Sequence, residues 1–146
     1  MAFELRTEID VEAPAARVWA VLSDFARYPE WNPFVMRIEG RLEVGSKLSV
    51  RLRLSGGRAV PIRPRVTTLI AGQAFAWRGE LLSRALFVGE HRFEVIPGGD
   101  GRARFVHSER FNGVLVPLLE KTLNTKARAG FEAMNRALKR RAEALA

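Results

Sequence analysis

Phe105-Val106-His107-Ser108-Glu109-Arg110-Phe111 alternates, with Phe105, His107, Glu109 and Phe111 on one face. That is the period of a β-strand. From Pro117 the period changes. Leu119, Leu123, Ala127, Gly130, Met134, Leu138 and Leu145 recur at intervals of three, four or seven, and Phe131 widens the stripe. Pro117 opens an amphipathic helix that runs to about Ala144, about 40 Å at 1.5 Å per residue. Such a stripe must be buried, and the strands that precede the helix are the only large partner the chain offers.

Working outward, the strands can be read one by one. Phe3, Leu5, Thr7, Ile9 and Val11 share a face of the first, opposite Glu4, Arg6, Glu8, Asp10 and Glu12. Pro14 then opens a short helix carrying Val18, Trp19, Val21 and Leu22, and Ser23-Asp24 can cap a second with Phe25 and Tyr28. Tyr28-Pro29-Glu30-Trp31-Asn32-Pro33-Phe34 holds two prolines and three aromatics, and reads as an ordered aromatic loop. Met36, Ile38 and Leu42 share a face of the second strand, and Leu48, Val50, Leu52 and Leu54 a face of the third. Ile62, Val66 and Ile70 form the fourth, Phe75 and Trp77 lie on the fifth, and Phe87, His91, Phe93 and Val95 on the sixth. The order is strand, two short helices, six strands, one long helix: an α+β domain spanning residues 1–146, with no linker or repeat.

Composition agrees with a globular domain. Of 146 residues 47% are hydrophobic, and no apolar run approaches the length of a membrane span. The N-terminus has no basic region followed by an apolar run, so a cytoplasmic location is expected. There is no cysteine, which excludes disulfides, thiolate metal sites and cysteine nucleophiles. The net charge of +8 raises the question of an anionic partner. However, Arg51, Arg53, Arg63, Arg65, Arg92, Arg102, Arg104 and Arg110 all fall opposite the apolar faces of their strands, as a solvated convex sheet requires. No nucleic-acid partner is expected. Transient contact with an anionic membrane stays open, as does the choice between monomer and homodimer.

The order of elements and several motifs resemble the START/Bet v 1-like (SRPBCC) superfamily, in particular its bacterial polyketide cyclase/dehydrase-like members. The residues that carry the resemblance include Ile9-Asp10-Val11-Glu12-Ala13-Pro14 and Tyr28-Pro29-Glu30-Trp31-Asn32-Pro33-Phe34. Gly89-Glu90-His91-Arg92-Phe93, His107 to Gly113 and Gly130-Phe131-Glu132-Ala133-Met134-Asn135 complete it. The resemblance implies a helix-grip fold: a seven-stranded antiparallel sheet curled around the C-terminal helix, with the two short helices between strands 1 and 2. It also implies a deep, mostly apolar cavity that takes a hydrophobic small molecule.

Turn positions give an expected register. With Ile96 and Arg102 flanking Pro97 to Gly101, His91 falls opposite His107 and Gly89 opposite Glu109. With Leu82 paired to Leu86 across Ser83-Arg84-Ala85, Trp77 falls opposite His91 and Gly79 opposite Gly89. Trp77, His91 and His107 then form a row on the concave face, with Glu109 diagonal to His91. Two histidines and a glutamate on a buried face can satisfy one another, anchor a polar group of a ligand, or act as acid and base. Their spacing matches no metal motif. Gly79 and Gly89 would open space or bend the sheet. Trp31 and Phe34 would close the cavity mouth or seal the sheet end. Leu52, Leu54, Phe87, Leu119, Leu123 and Phe131 are the apolar ligand-contact candidates.

Three functions remain. The favoured one is noncatalytic binding or transport of a lipid-, isoprenoid- or polyketide-like molecule without a cofactor. The second is a cyclase/aromatase- or dehydratase-like enzyme using His91, His107 or Glu109. The third is a module whose basic surface meets an anionic membrane. No serine-hydrolase elbow, phosphate loop, dinucleotide fingerprint or zinc-protease motif is present.

Overall fold

The computed structural model describes residues 2–54, 57–81, 83 and 85–144. The expected Leu82–Leu86 pair, Arg84 and Leu145 involve residues outside that range. Strand β1 (Ala2–Val11) leads to α1 (Ala15–Ser23) and a 3₁₀ helix (Phe25–Glu30). Seven strands follow: β2 (Val35–Glu39), β3 (Ser49–Arg53), β4 (Ala59–Ile62), β5 (Arg65–Ile70), β6 (Ala74–Leu81), β7 (Phe87–Gly98) and β8 (Arg102–Asn112). The C-terminal helix comprises α2 (Val116–Thr122), a π-helical turn (Leu123–Ala127) and α3 (Arg128–Ala144).

Among the described residues the strands number eight in two antiparallel sheets, not seven in one. The first sheet runs β1-β8-β7-β6-β5 and the second β2-β3-β4. The strand expected through Ile62, Val66 and Ile70 breaks at Arg63-Pro64, because proline gives no ladder donor and restricts the residue before it. The chain thereby crosses from one sheet to the other, β4 pairing with β3 and β5 with β6. Backbone bonds from Gly45 N to Val66 O and from Leu48 N to Pro64 O tie the two sheets together at this corner.

Two further expectations shift. A bulge between Val35 and Arg37 buries Val35 and Ile38, where the alternation had put Met36 beside Ile38. Leu42 lies beyond β2, past Gly40, which turns at φ +125°. The β7–β8 hairpin closes on Gly98 and Arg102 across three residues, not five, with Asp100 and Gly101 at φ +61° and +71°. The true register therefore sets His91 opposite Glu109 and Phe93 opposite His107. A shift of two leaves every side chain on its expected face. The β6–β7 register is as expected, with Trp77 opposite His91 and Gly79 opposite Gly89.

The helix lays Gly130, Phe131, Met134, Asn135, Leu138 and Ala142 into the core. Phe34 packs on Phe131 with ring centres 5.4 Å apart. Gly130 makes room for it: a Cβ there would stand 2.6 Å from Phe34 Cδ1. Phe25, Phe75, Phe93 and Phe105 fill the remainder with Trp77.

Candidate ligand cavity and its buried polar chain

A cavity of about 930 Å³ lies between the sheets and the front of the C-terminal helix. Eight of the candidate residues line it: Phe34, Leu52, Leu54, Phe87, Glu109, Leu119, Leu123 and Phe131. Gly79 and Gly89 line it too. A Cβ on Gly79 would touch only Pro64, at 3.8 Å, so that glycine leaves open volume. At Gly89 the missing side chain is replaced by the Glu109 carboxyl, which a Cβ would overlap.

Four candidates lie elsewhere. Trp77, His91 and His107 are fully buried behind the cavity wall, packed among Phe75, Phe93 and Phe131. The sheet is covered here by Phe34 and Phe131, so its concave face is core and not open volume. Trp31 stacks edge-on with Tyr28, ring centres 5.1 Å apart. It borders a separate surface hollow of about 300 Å³ beside Arg17, Asp24, Arg27 and Arg141. It is not a cavity wall.

A continuous polar chain runs through the apolar core behind Glu109. Thr7 Oγ1 donates to the His107 backbone carbonyl at 3.0 Å. A carbonyl only accepts, so this hydroxyl spends its proton there. Its oxygen then accepts from Asn135 Nδ2 at 2.8 Å, which aims Asn135 Oδ1 at His107 Nδ1, also 2.8 Å away. His107 Nδ1 must therefore carry a proton. In a neutral ring Nε2 is then the acceptor, and it meets His91 Nε2 at 2.6 Å. His91 must donate, which leaves its Nδ1 bare. That nitrogen faces Glu109 Oε1 at 3.4 Å, and one proton is shared between the two groups.

Burial decides where that proton rests. Desolvation, then the neighbouring His107, holds His91 well below the usual imidazole range. Desolvation lowers His107 to about 3, against the opposing hydrogen bonds from Asn135 and the Phe131 backbone. Desolvation raises Glu109 to about 8. Near neutral pH the cavity wall thus presents an uncharged carboxyl group, its proton toward His91 Nδ1 and its oxygens able to accept a hydrogen bond.

Sequence reasoning overlooked Thr7 and Asn135 as site residues. Each had a signal, being the lone polar side chain on an otherwise apolar stripe. It also placed Arg63 and Arg65 on a solvated convex face, whereas both line the cavity, with Lys47 and Arg78. The departure at Pro64 from one sheet to the next brings them there. No group of three or more potential metal ligands occurs among the described residues.

A curled antiparallel sheet gripping a C-terminal helix, with a cavity between them, defines a helix-grip domain of the START/Bet v 1 class. The chain belongs to the polyketide cyclase/dehydrase and lipid transport family, whose model matches residues 2–143. Among solved structures it is similar to a Streptomyces aromatase/cyclase, Zhui, at TM-score 0.79 and 18% identity over 98% of this chain and 94% of that one. A START superfamily protein from Mycobacterium smegmatis superposes at TM-score 0.77 and 20% identity, covering 98% and 99%. Norcoclaurine synthase of Thalictrum flavum, as a point mutant with a transition-state analogue, gives TM-score 0.75 and 16% identity over 99% and 96%. No curated protein matches the sequence.

Proposed function

We propose that residues 1–146 act as one domain that binds and carries a hydrophobic small molecule in the 930 Å³ cavity, without a cofactor and in the cytoplasm. The observation that carries this reading is a large, mainly apolar cavity with the uncharged Glu109 carboxyl on its wall. Burial of apolar ligand surface, about 25 cal/mol per Å², supplies affinity. Glu109 orients the ligand by accepting a hydrogen bond from its hydroxyl. Membership of a family whose description includes lipid transport supports the reading.

Filling the cavity tests it. Gly79→Leu adds a side chain where the backbone has room. A fluorescent fatty acid such as cis-parinaric acid should bind the wild type and bind this variant at least tenfold more weakly. Equal affinity for both places the binding site elsewhere and overturns the proposal. Native mass spectrometry of freshly purified protein should show a bound apolar species.

A second reading has one specific observation in its favour. A neutral carboxyl in an apolar cavity is the group a cyclase- or dehydratase-like reaction needs as a general acid, and one similar structure is an aromatase/cyclase. Here His91 and His107 would set the proton on Glu109 and would not touch substrate. Glu109→Gln would then keep probe binding and abolish turnover of a poly-β-carbonyl substrate. Full turnover in that variant would remove the reading.

A further inference from the structure

The net charge of this chain is not spread evenly. Residues 44–79 contain seven lysines and arginines and not one aspartate or glutamate. They account for all but one of the eight net positive charges. This stretch builds β3, β4, β5 and most of β6. Outside it, seventeen cations stand against sixteen acids. Arg104 pairs with Asp10 and Glu8, Arg102 with Glu12, Arg92 with Glu94, and Arg110 with Glu4.

One cross-strand row shows where the matching stops. Glu4 lies opposite Arg110, Arg110 opposite Glu90, and Glu90 opposite Arg78. The signs alternate across four strands. Arg78 is then opposite Arg65, and Arg65 is bridged to Lys47. Like charges directly opposite one another are destabilising. Arg65 spends one N–H on the Gly45 carbonyl, and Arg78 reaches Glu90 at 3.4 Å. Among the described residues Lys47 and Arg63 have no acidic partner within ion-pair distance. These four side chains, all exposed, line the cavity where the chain crosses between the sheets at Pro64.

We infer that the natural ligand is an amphipathic anion, whose carboxylate or phosphate head is held at the cavity mouth by Lys47, Arg63, Arg65 and Arg78 while its apolar body fills the interior. The inference rests on the cavity being the binding site and names the substrate class. The arrangement is asymmetric in a useful way. Two carboxyls line the cavity: Glu109, on the inner wall, is uncharged and does not repel an acid entering beneath it, and Glu80 lines the cavity with the four cations. The cations stand at the solvent edge, where an anionic head keeps much of its hydration. A guanidinium can hold either head group bidentately, and a lysine supplies a point charge.

Titration with cis-parinaric acid and with its methyl ester tests the head-group site separately from the cavity. The acid should bind at least about tenfold more tightly than the ester, as a charge-assisted hydrogen bond provides. Raising salt from about 0.05 to 0.5 M should narrow the gap. Lys47→Ala/Arg63→Ala should weaken the acid several-fold more than the ester and so narrow the gap between them. Arg63→Glu should make the ester the tighter ligand. Displacement of the bound acid by dodecyl phosphate or by dodecanoate distinguishes a phosphate head from a carboxylate, and either result supports the site. Equal binding of acid and ester by the wild type overturns the head-group inference and leaves the cavity reading intact. Failure of both to bind overturns the cavity reading and this inference with it.

Discussion

His91 and His107 face each other Nε2 to Nε2 at 2.6 Å, and the two nitrogens can share only one proton. The rest of the chain assigns it. Thr7 donates to a carbonyl, Asn135 is thereby oriented, and His107 is left with its proton on Nδ1. In long-range ¹H–¹⁵N spectra at pH 7, His107 should show the Nδ1-protonated tautomer and His91 the Nε2-protonated one. The opposite pair of tautomers would mean that Asn135 is turned over and the direction of the chain reversed.

Stability should peak near pH 6.5. The folded-state values of His91 and His107 are depressed, the latter to about 3, so below an unfolded value of 6.5 the unfolded chain binds two protons that the folded one refuses. Glu109 is raised from 4.5 to about 8, so between those values the folded chain holds one proton that the unfolded one lacks. From about pH 4.5 to 6.5 the depressed histidines outweigh the raised carboxyl, and stability rises with pH. From 6.5 to 8 only Glu109 contributes, and stability falls with pH. Urea unfolding across pH 4.5–9 reads the curve. Glu109→Gln should flatten the alkaline limb; an unchanged limb would assign it to another group.

Asn135 and Thr7 should behave as one unit. Thr7→Val keeps volume but strands the Asn135 amide, which costs about 1–3 kcal/mol. Asn135→Leu removes the amide to which Thr7 Oγ1 and His107 Nδ1 are both bonded, at comparable cost. Because both variants lose the same 2.8 Å bond, the double variant should be destabilised by at least about 0.5 kcal/mol less than the two together. Strict additivity in urea melts would show that the two side chains do not depend on each other.

Gly130→Ala should destabilise the protein by about 1–3 kcal/mol, since its Cβ would press into the Phe34 ring, wedged between the helix and the two histidines. Gly99→Ala is the matched control, with nothing near the added methyl. Thermal melts of the two variants should differ by several degrees. Equal melting points would mean that Phe34 has room to retreat.

Period and turn chemistry made most of the fold legible. The switch from alternation to helical spacing at Pro117, and the alternation of β1, β7 and β8, placed the elements and chose the faces. What escaped was local. Pro64 divides one apparent strand because a missing N–H matters only in a paired ladder, and pairing is not written in the alternation. The β7–β8 register slipped by two because Pro97-Gly98-Gly99-Asp100-Gly101 offers several closures, and only Asp100 and Gly101 take left-handed backbone. At the site, Glu109 was legible as a polar group on a concave face. That Phe34 and Phe131 would cover His91 and His107 and leave Glu109 uncovered depends on side-chain packing across elements distant in sequence.

The polar chain behind Glu109 ends at the His107 carbonyl, a group that can neither give up nor take a proton. It is a cul-de-sac with one door, and the door opens on the cavity. A ligand seated against Glu109 closes it, so the filled cavity would isolate the buried imidazoles from solvent exchange and fix the proton inventory of the interior for as long as the cargo stays aboard.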